Sequence, residues 1–185
     1  EVSVSPSNRK IDPRVEDQLE MAWDKMQKRA SEKGRVIYNG ISYRLNSLTQ
    51  VENHLIMDFG TFEYKVRDGL LEIPEYFDLP EEYYRKGCHV GATIKTGDNK
   101  YLLVELSGKS MNLNRTEFLG GIMETNVDLK MGKDVFTCLY KELEEEGRIM
   151  PTDIESCDLR AVFQDFRTNI GFHFQVVLNV SSEEL

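Results

Sequence analysis

Apolar residues recur at three- to four-residue steps from Pro13 onward: Val15, Leu19, Ala22, Met26 and Ala30. That period belongs to an amphipathic helix, and Gly34 is a natural stop. Beyond it the period shortens. Segments 35–38, 41–45, 54–59 and 61–66 read as strands, and Asn39-Gly40 between the first two is a hairpin-turn signal. Residues 72–86 carry Pro74 and Pro80 and read as a connection with a short helix near Glu81. Segments 88–96 and 101–107 read as two strands joined by Gly97-Asp98-Asn99, and 107–116 as a polar loop. A second helix is predicted from Asp134, a good N-cap, to near Gly147. The last strands are 159–166 and 170–180. In the latter, Phe172, Phe174, Val176, Leu178 and Val180 alternate with His173, Gln175, Val177 and Asn179, the period of a half-buried strand.

The order is β-rich, then one strong helix, then β again. It predicts an α/β layer fold rather than a bundle or a doubly wound parallel sheet. The chain has 185 residues, enough for one domain with a real core or one domain plus an N-terminal extension. Hydrophobic residues make up 40% and charged residues 30%, the balance of a soluble globular protein. The net charge of −9 makes nonspecific nucleic-acid binding unexpected, because phosphate-neutralising cations are scarce. Acidity does not exclude a phosphorylated small molecule when a metal ion intervenes. No stretch approaches 18 apolar residues and no signal-peptide pattern is visible, so no membrane span and a cytoplasmic location are expected. Cys88, Cys138 and Cys157 have neither disulfide nor zinc spacing and read as free thiols in a reducing compartment.

The second helix carries Lys141-Glu142-Leu143-Glu144-Glu145-Glu146. Phe136, Leu139 and Leu143 form its apolar stripe, while Glu142, Glu145 and Glu146 share another face about one turn tall. Two readings stand. The run is a solvated helix end, as charge runs usually are. Or a hard divalent cation relieves the mutual repulsion of three carboxylates, and Mg²⁺ prefers such oxygen ligands. Acids near a helix C-terminus oppose the macrodipole, which favours a further role for them.

The context of the helix resembles the Nudix hydrolase family, whose box runs G-x5-E-x7-R-E-U-x-E-E-x-G-U and is usually preceded by a second glycine. Gly120-Gly121 resembles that opening pair, Glu124 the glutamate often found three residues on, and Lys141 to Glu146 the R-E-U-x-E-E core. The chain departs from the box in several places. The spacer from Gly121 to Lys141 is longer, Val127 occupies the first box-glutamate slot, Lys141 replaces arginine, and Arg148 holds the final glycine slot. Asn39 to Leu45, Leu55 to Lys65 and Val90-Gly91-Ala92-Thr93 look like the UDP-sugar pyrophosphatase branch, which pairs a β-rich extension with a box carrying an insertion.

The resemblance implies a Nudix α-β-α sandwich with a mixed sheet and a small β-rich N-terminal extension, divided as residues 1–86 and 87–185. It implies Mg²⁺-dependent cleavage, with Mn²⁺ as the alternative cation, of a nucleoside diphosphate linked to another moiety, a UDP-sugar among the candidates, releasing a nucleoside monophosphate. Glu142, Glu145 and Glu146 would be metal ligands and, with Lys141, catalytic residues. One of these glutamates or Glu124 would be the base, and Lys141 would orient Glu142 or touch phosphate. Gly120, Gly121 and Arg115 would bind substrate. Two other classes stay open: a Nudix-fold nucleotide-binding or interaction module without turnover, and an unrelated interaction domain with a solvated acidic helix. His89 and His173 are expected to be packed or surface histidines, because neither has a partner at metal spacing. Trp23 is expected in the core, and Lys109, Asn112, Asn114 and Arg115 in a polar loop.

Overall fold

The computed structural model describes residues 1–10, 12–74, 76–105, 116–127, 129 and 133–185, without the side chain of Phe77. The fold is mixed α/β. Among the described residues, no helix is long and apolar enough to cross a membrane. Residues 107–115, including Lys109, Asn112, Asn114 and Arg115 of the expected polar loop, lie outside the described residues. The chain forms two compact units. The first comprises Glu1–Cys88, Glu124–Gly132 and Gln164–Ile170, and the second His89–Met123, Lys133–Phe163 and Gly171–Leu185.

In the first unit, helix α1 spans Pro13–Glu32. Asp12 caps it by accepting from the Arg14 backbone N–H at 2.9 Å, and Pro13 enters the first turn, where its missing N–H costs nothing. Val15, Leu19, Ala22 and Trp23 are buried, so the helical period and the core position of Trp23 both hold. Val15 and Leu19 pack with Leu70, Ile73 and Tyr76. Strand β1 (Val2–Val4) pairs parallel with β3 (His54–Glu63), and β3 pairs antiparallel with β2 (Ile41–Val51). Segment 35–38 is not a strand, and Asn39-Gly40 is not a hairpin turn. The turn is Glu52-Asn53, with Glu52 at φ 54°. The β2–β3 ladder runs from Ile41↔Glu63 to Val51↔His54, and that many cross-strand pairs outweigh the preference of one dipeptide. Asn39 instead serves helix α2 (Tyr64–Gly69), its side-chain carbonyl accepting from the Lys65 backbone N–H at 2.8 Å. The expected strand 61–66 therefore ends at Glu63. Residues Glu81–Tyr83 form a 3-10 turn where a short helix is predicted.

The second unit holds most of a five-stranded sheet. Its order is β5 (Tyr101–Leu102), β4 (Cys88–Lys95), β10 (Ile170–Leu178), β9 (Ile154–Gln164), with β8 (Leu119–Ile122) also paired to β4. Asn99 at φ 64° turns β4 into β5, matching the second hairpin signal. Strands β6 (Val104–Glu105) and β7 (Thr116–Glu117) form a separate pair. Along β10, Phe172, Phe174, Val176 and Leu178 are buried, as the alternation predicts. They share a core with Val90, Ala92, Ile94, Leu119 and the buried residues of helix α3 (Val135–Gly147), namely Val135, Cys138, Leu139 and Leu143. Phe136, assigned to the helix's apolar stripe, is only half-buried but meets the Phe174 ring edge-on at 5.0 Å.

Candidate functional site

Helix α3 begins where its sequence requires. The Asp134 carboxylate accepts from the Thr137 backbone N–H at 3.1 Å, satisfying a donor the first turn leaves free. It ends with Arg148 in the left-handed region at φ 55°, where its N–H reaches the Glu144 carbonyl at 3.2 Å. Between these ends α3 packs on β8, the strand that carries Gly120 and Gly121.

That packing brings Glu142 onto the glycine pair. A Cβ placed on Gly121 would lie 2.2 Å from Glu142 Oε2 and 2.5 Å from its carboxyl carbon. A side chain at position 121 would push the carboxylate aside, a small cost at the end of a flexible side chain, so the contact marks how closely Glu142 approaches the strand. Gly120 is crowded from the other side: a Cβ there would stand 2.3 Å from the Val90 carbonyl oxygen of β4. Glu146 also reaches this strand. The nearby Gly120 backbone N–H and the Lys141 charge act to lower its pKa. Burial and the neighbouring charge of Glu145 push the other way and win, so the Glu146 carboxyl sits above the usual glutamate range. Glu145 is more than half exposed and accepts an ion pair from Lys141 Nζ at 2.7 Å.

Four of the predicted site residues therefore meet at one place: Gly120, Gly121, Glu142 and Glu146. Lys141 and Glu145 pair beside them on the solvent side. Arg115, the predicted substrate-binding cation, lies outside the described residues. Among the described residues, no three His, Cys, Asp or Glu side chains stand close enough together to hold a metal ion as placed. The donor chemistry nevertheless suits Mg²⁺, which commonly binds through one or two carboxylates while keeping several waters. Cys138, one turn before Glu142, is no nucleophile. Burial, with Asp134 and Glu142 nearby, pushes its thiol up to about 12.

Glu124 belongs to the first unit. Its Oε1 accepts from the hydroxyls of Tyr64 and Tyr38, the latter at 3.2 Å, and its Oε2 from Asn126 at 3.2 Å. Burial and this carboxylate raise the pKa of Tyr64, so the phenol stays protonated and donates. Sequence reading missed the two tyrosines, and no local signal could have found them: 60 and 86 positions separate them from Glu124. The two histidines of the second unit are half-buried and packed, as expected. His89 meets Phe163 edge-on at 5.9 Å, and His173 hydrogen-bonds Thr93 at 3.0 Å.

No protein-family model matches the chain, and no curated protein is a significant match to it. The functional reading rests on the geometry and on the motif resemblance alone.

Proposed function

We propose that the protein is a Mg²⁺-dependent Nudix-type hydrolase, with Mn²⁺ as the alternative cation, that cleaves the pyrophosphate of a nucleoside diphosphate linked to another moiety. A UDP-sugar is the first substrate to test. One observation carries the reading: the α3–β8 packing seats Glu142 on Gly121 and brings Glu146 to the backbone of Gly120. A merely solvated helix end has no reason to bring a carboxylate so close to the glycine pair of the strand. Carboxylates so placed offer oxygen ligands beside the glycine pair, and a bound Mg²⁺ would neutralise developing charge on the phosphate oxygens and activate water. Glu142 and Glu146 are the residues that would hold it. Glu146, with its raised pKa, is the better candidate for taking a proton from the attacking water. Lys141 restrains Glu145 through their ion pair and would be the cation to touch phosphate.

That same ion pair supports the second reading, a nucleotide-binding module without turnover. It neutralises one of the three carboxylates by internal pairing rather than by a cation. A single experiment separates the two. The protein is incubated with UDP-glucose and other nucleotide sugars at millimolar Mg²⁺, and released nucleoside monophosphate is read by mass spectrometry. Hydrolysis is expected, and Glu146→Gln should abolish it. Binding without any monophosphate would replace the hydrolase reading by the module.

A further inference from the structure

None of residues 1–8 is buried, yet residues 2–4 pair in register with the edge of β3 and the segment continues to Asn46 and Arg44 of β2. The pairing is short: Val2↔Met57, Ser3↔Asp58, Val4↔Phe59. Polar side chains do most of the holding. Asp58 accepts from the Ser3 hydroxyl at 2.8 Å, from the Ser5 hydroxyl, and from Asn46 Nδ2 at 3.0 Å. Burial pushes the Asp58 carboxyl up, but these donors hold it below its ordinary value, so it stays an ionised acceptor. Farther along, Asn8 receives from Arg44 Nη1 at 2.5 Å and donates to the Asn46 carbonyl at 3.2 Å. The Asn46 side-chain carbonyl accepts from the Asn8 backbone at 3.1 Å. Asn46 thus joins the Asp58 contacts to the Asn8 contacts.

We infer that residues 2–8 form a strap that opens from the edge of β3 as one piece, with Asp58 as its latch. The β2–β3 ladder and α1 stay folded when it opens, because their own pairs and buried residues do not include the strap. An element with no buried residue and a few polar anchors belongs to the low-stability end of a fold. Opening uncovers the backbone groups of β3 around residues 57–59 and removes two acceptors, Asn8 and Ser7, from the buried Arg44 guanidinium. The uncovered edge is a strand-pairing surface. The inference is independent of the hydrolase reading.

Amide hydrogen exchange on the full chain tests it. The Ser5 amide, bonded to the Phe59 carbonyl at 2.9 Å, and the Asn8 amide report on the two ends of the strap. After correction for intrinsic rates they should show one common protection factor, at least about tenfold lower than that of the β2–β3 ladder. Asp58→Asn should accelerate both by the same factor and leave the Glu16 amide of α1 unchanged. If Asp58→Asn destabilises the whole chain, the double variant Ser3→Ala, Ser5→Ala removes the same bonds from the strap side and should give the same acceleration. Unequal responses at Ser5 and Asn8, or protection equal to that of the ladder, would overturn the strap.

Discussion

The two units bury different chemistry. Among the described residues, the first encloses two arginines, Arg44 at 1% and Arg85 at 4% exposure, together with Ser42 and Thr168. In the second, the one polar residue among the buried is Thr96. The arginines are held mostly by neutral acceptors. Arg44 donates to the carbonyls of Arg85 and Tyr84 at 3.2 and 3.1 Å, and Arg85 to those of Arg67 and Arg167 at 2.6 and 3.1 Å. Desolvation brings Arg44 down to about 10, which still leaves it charged at neutral pH. Hydrogen bonds are directional, so such an interior is sensitive to loss of the arginine that all its acceptors share. An apolar interior tolerates exchange of shapes. The second unit can therefore serve as a firm platform for α3 on β8, while the first depends on its buried arginines and their carbonyl acceptors.

A methionine placed at one core position in each unit should break this comparison most sharply. Arg44→Met strands several buried carbonyls and amides, and the expected loss in urea unfolding is about 3–5 kcal/mol. Leu139→Met, deep in the apolar core of the second unit, should cost less than about 1.5 kcal/mol. Equal losses would mean that the arginine network contributes nothing beyond its volume.

A smaller effect is expected where the platform meets the candidate site. Gly121→Ala drives a methyl group into the Glu142 carboxylate, the end of a flexible side chain that can swing aside, and should cost less than about 1 kcal/mol. On the proposed function millimolar Mg²⁺ should raise the melting temperature of the parent, since a ligand that binds the folded state stabilises it by mass action, and Gly121→Ala should suppress that rise. Gly91→Ala, whose new Cβ would meet nothing closer than the Leu119 carbonyl at 3.8 Å, should keep the Mg²⁺ response and serves as the control. A full Mg²⁺ response in Gly121→Ala would remove Glu142 from the metal-ligand set.

The smallest effect is a pH dependence. The Glu146 carboxyl is raised in the folded chain, so the folded state binds the proton more tightly than the unfolded one. Metal-free stability should therefore fall as pH rises through the window just above the ordinary glutamate value of about 4.3, then level off. Glu146→Gln should flatten that segment of the melting-temperature profile and leave the rest in place. An unchanged profile would mean that burial and Glu145 do not act on Glu146 as its placement implies.

Local patterns in the sequence were enough for some of the elements. The period from Val15 to Ala30 marks α1, Asp134 marks the start of α3, and the alternation after Ile170 marks β10, because each depends only on neighbours a few residues apart. The acidic run and the glycine pair were legible as candidate site residues for the same reason. What only the tertiary structure decided depends on partners far apart in sequence. The long β2–β3 ladder overruled the turn preference of Asn39-Gly40 and turned that dipeptide into a cap for α2. Arg44 reads in sequence as one more charge in a strand, yet its carbonyl acceptors at Tyr84 and Arg85 bury it. Glu124, equal in sequence to any other site glutamate, goes to Tyr38 and Tyr64 in the first unit. Which carboxylate seats on the glycine pair is set by how closely α3 approaches β8. No periodicity encodes that distance, because packing of the whole apolar core determines it.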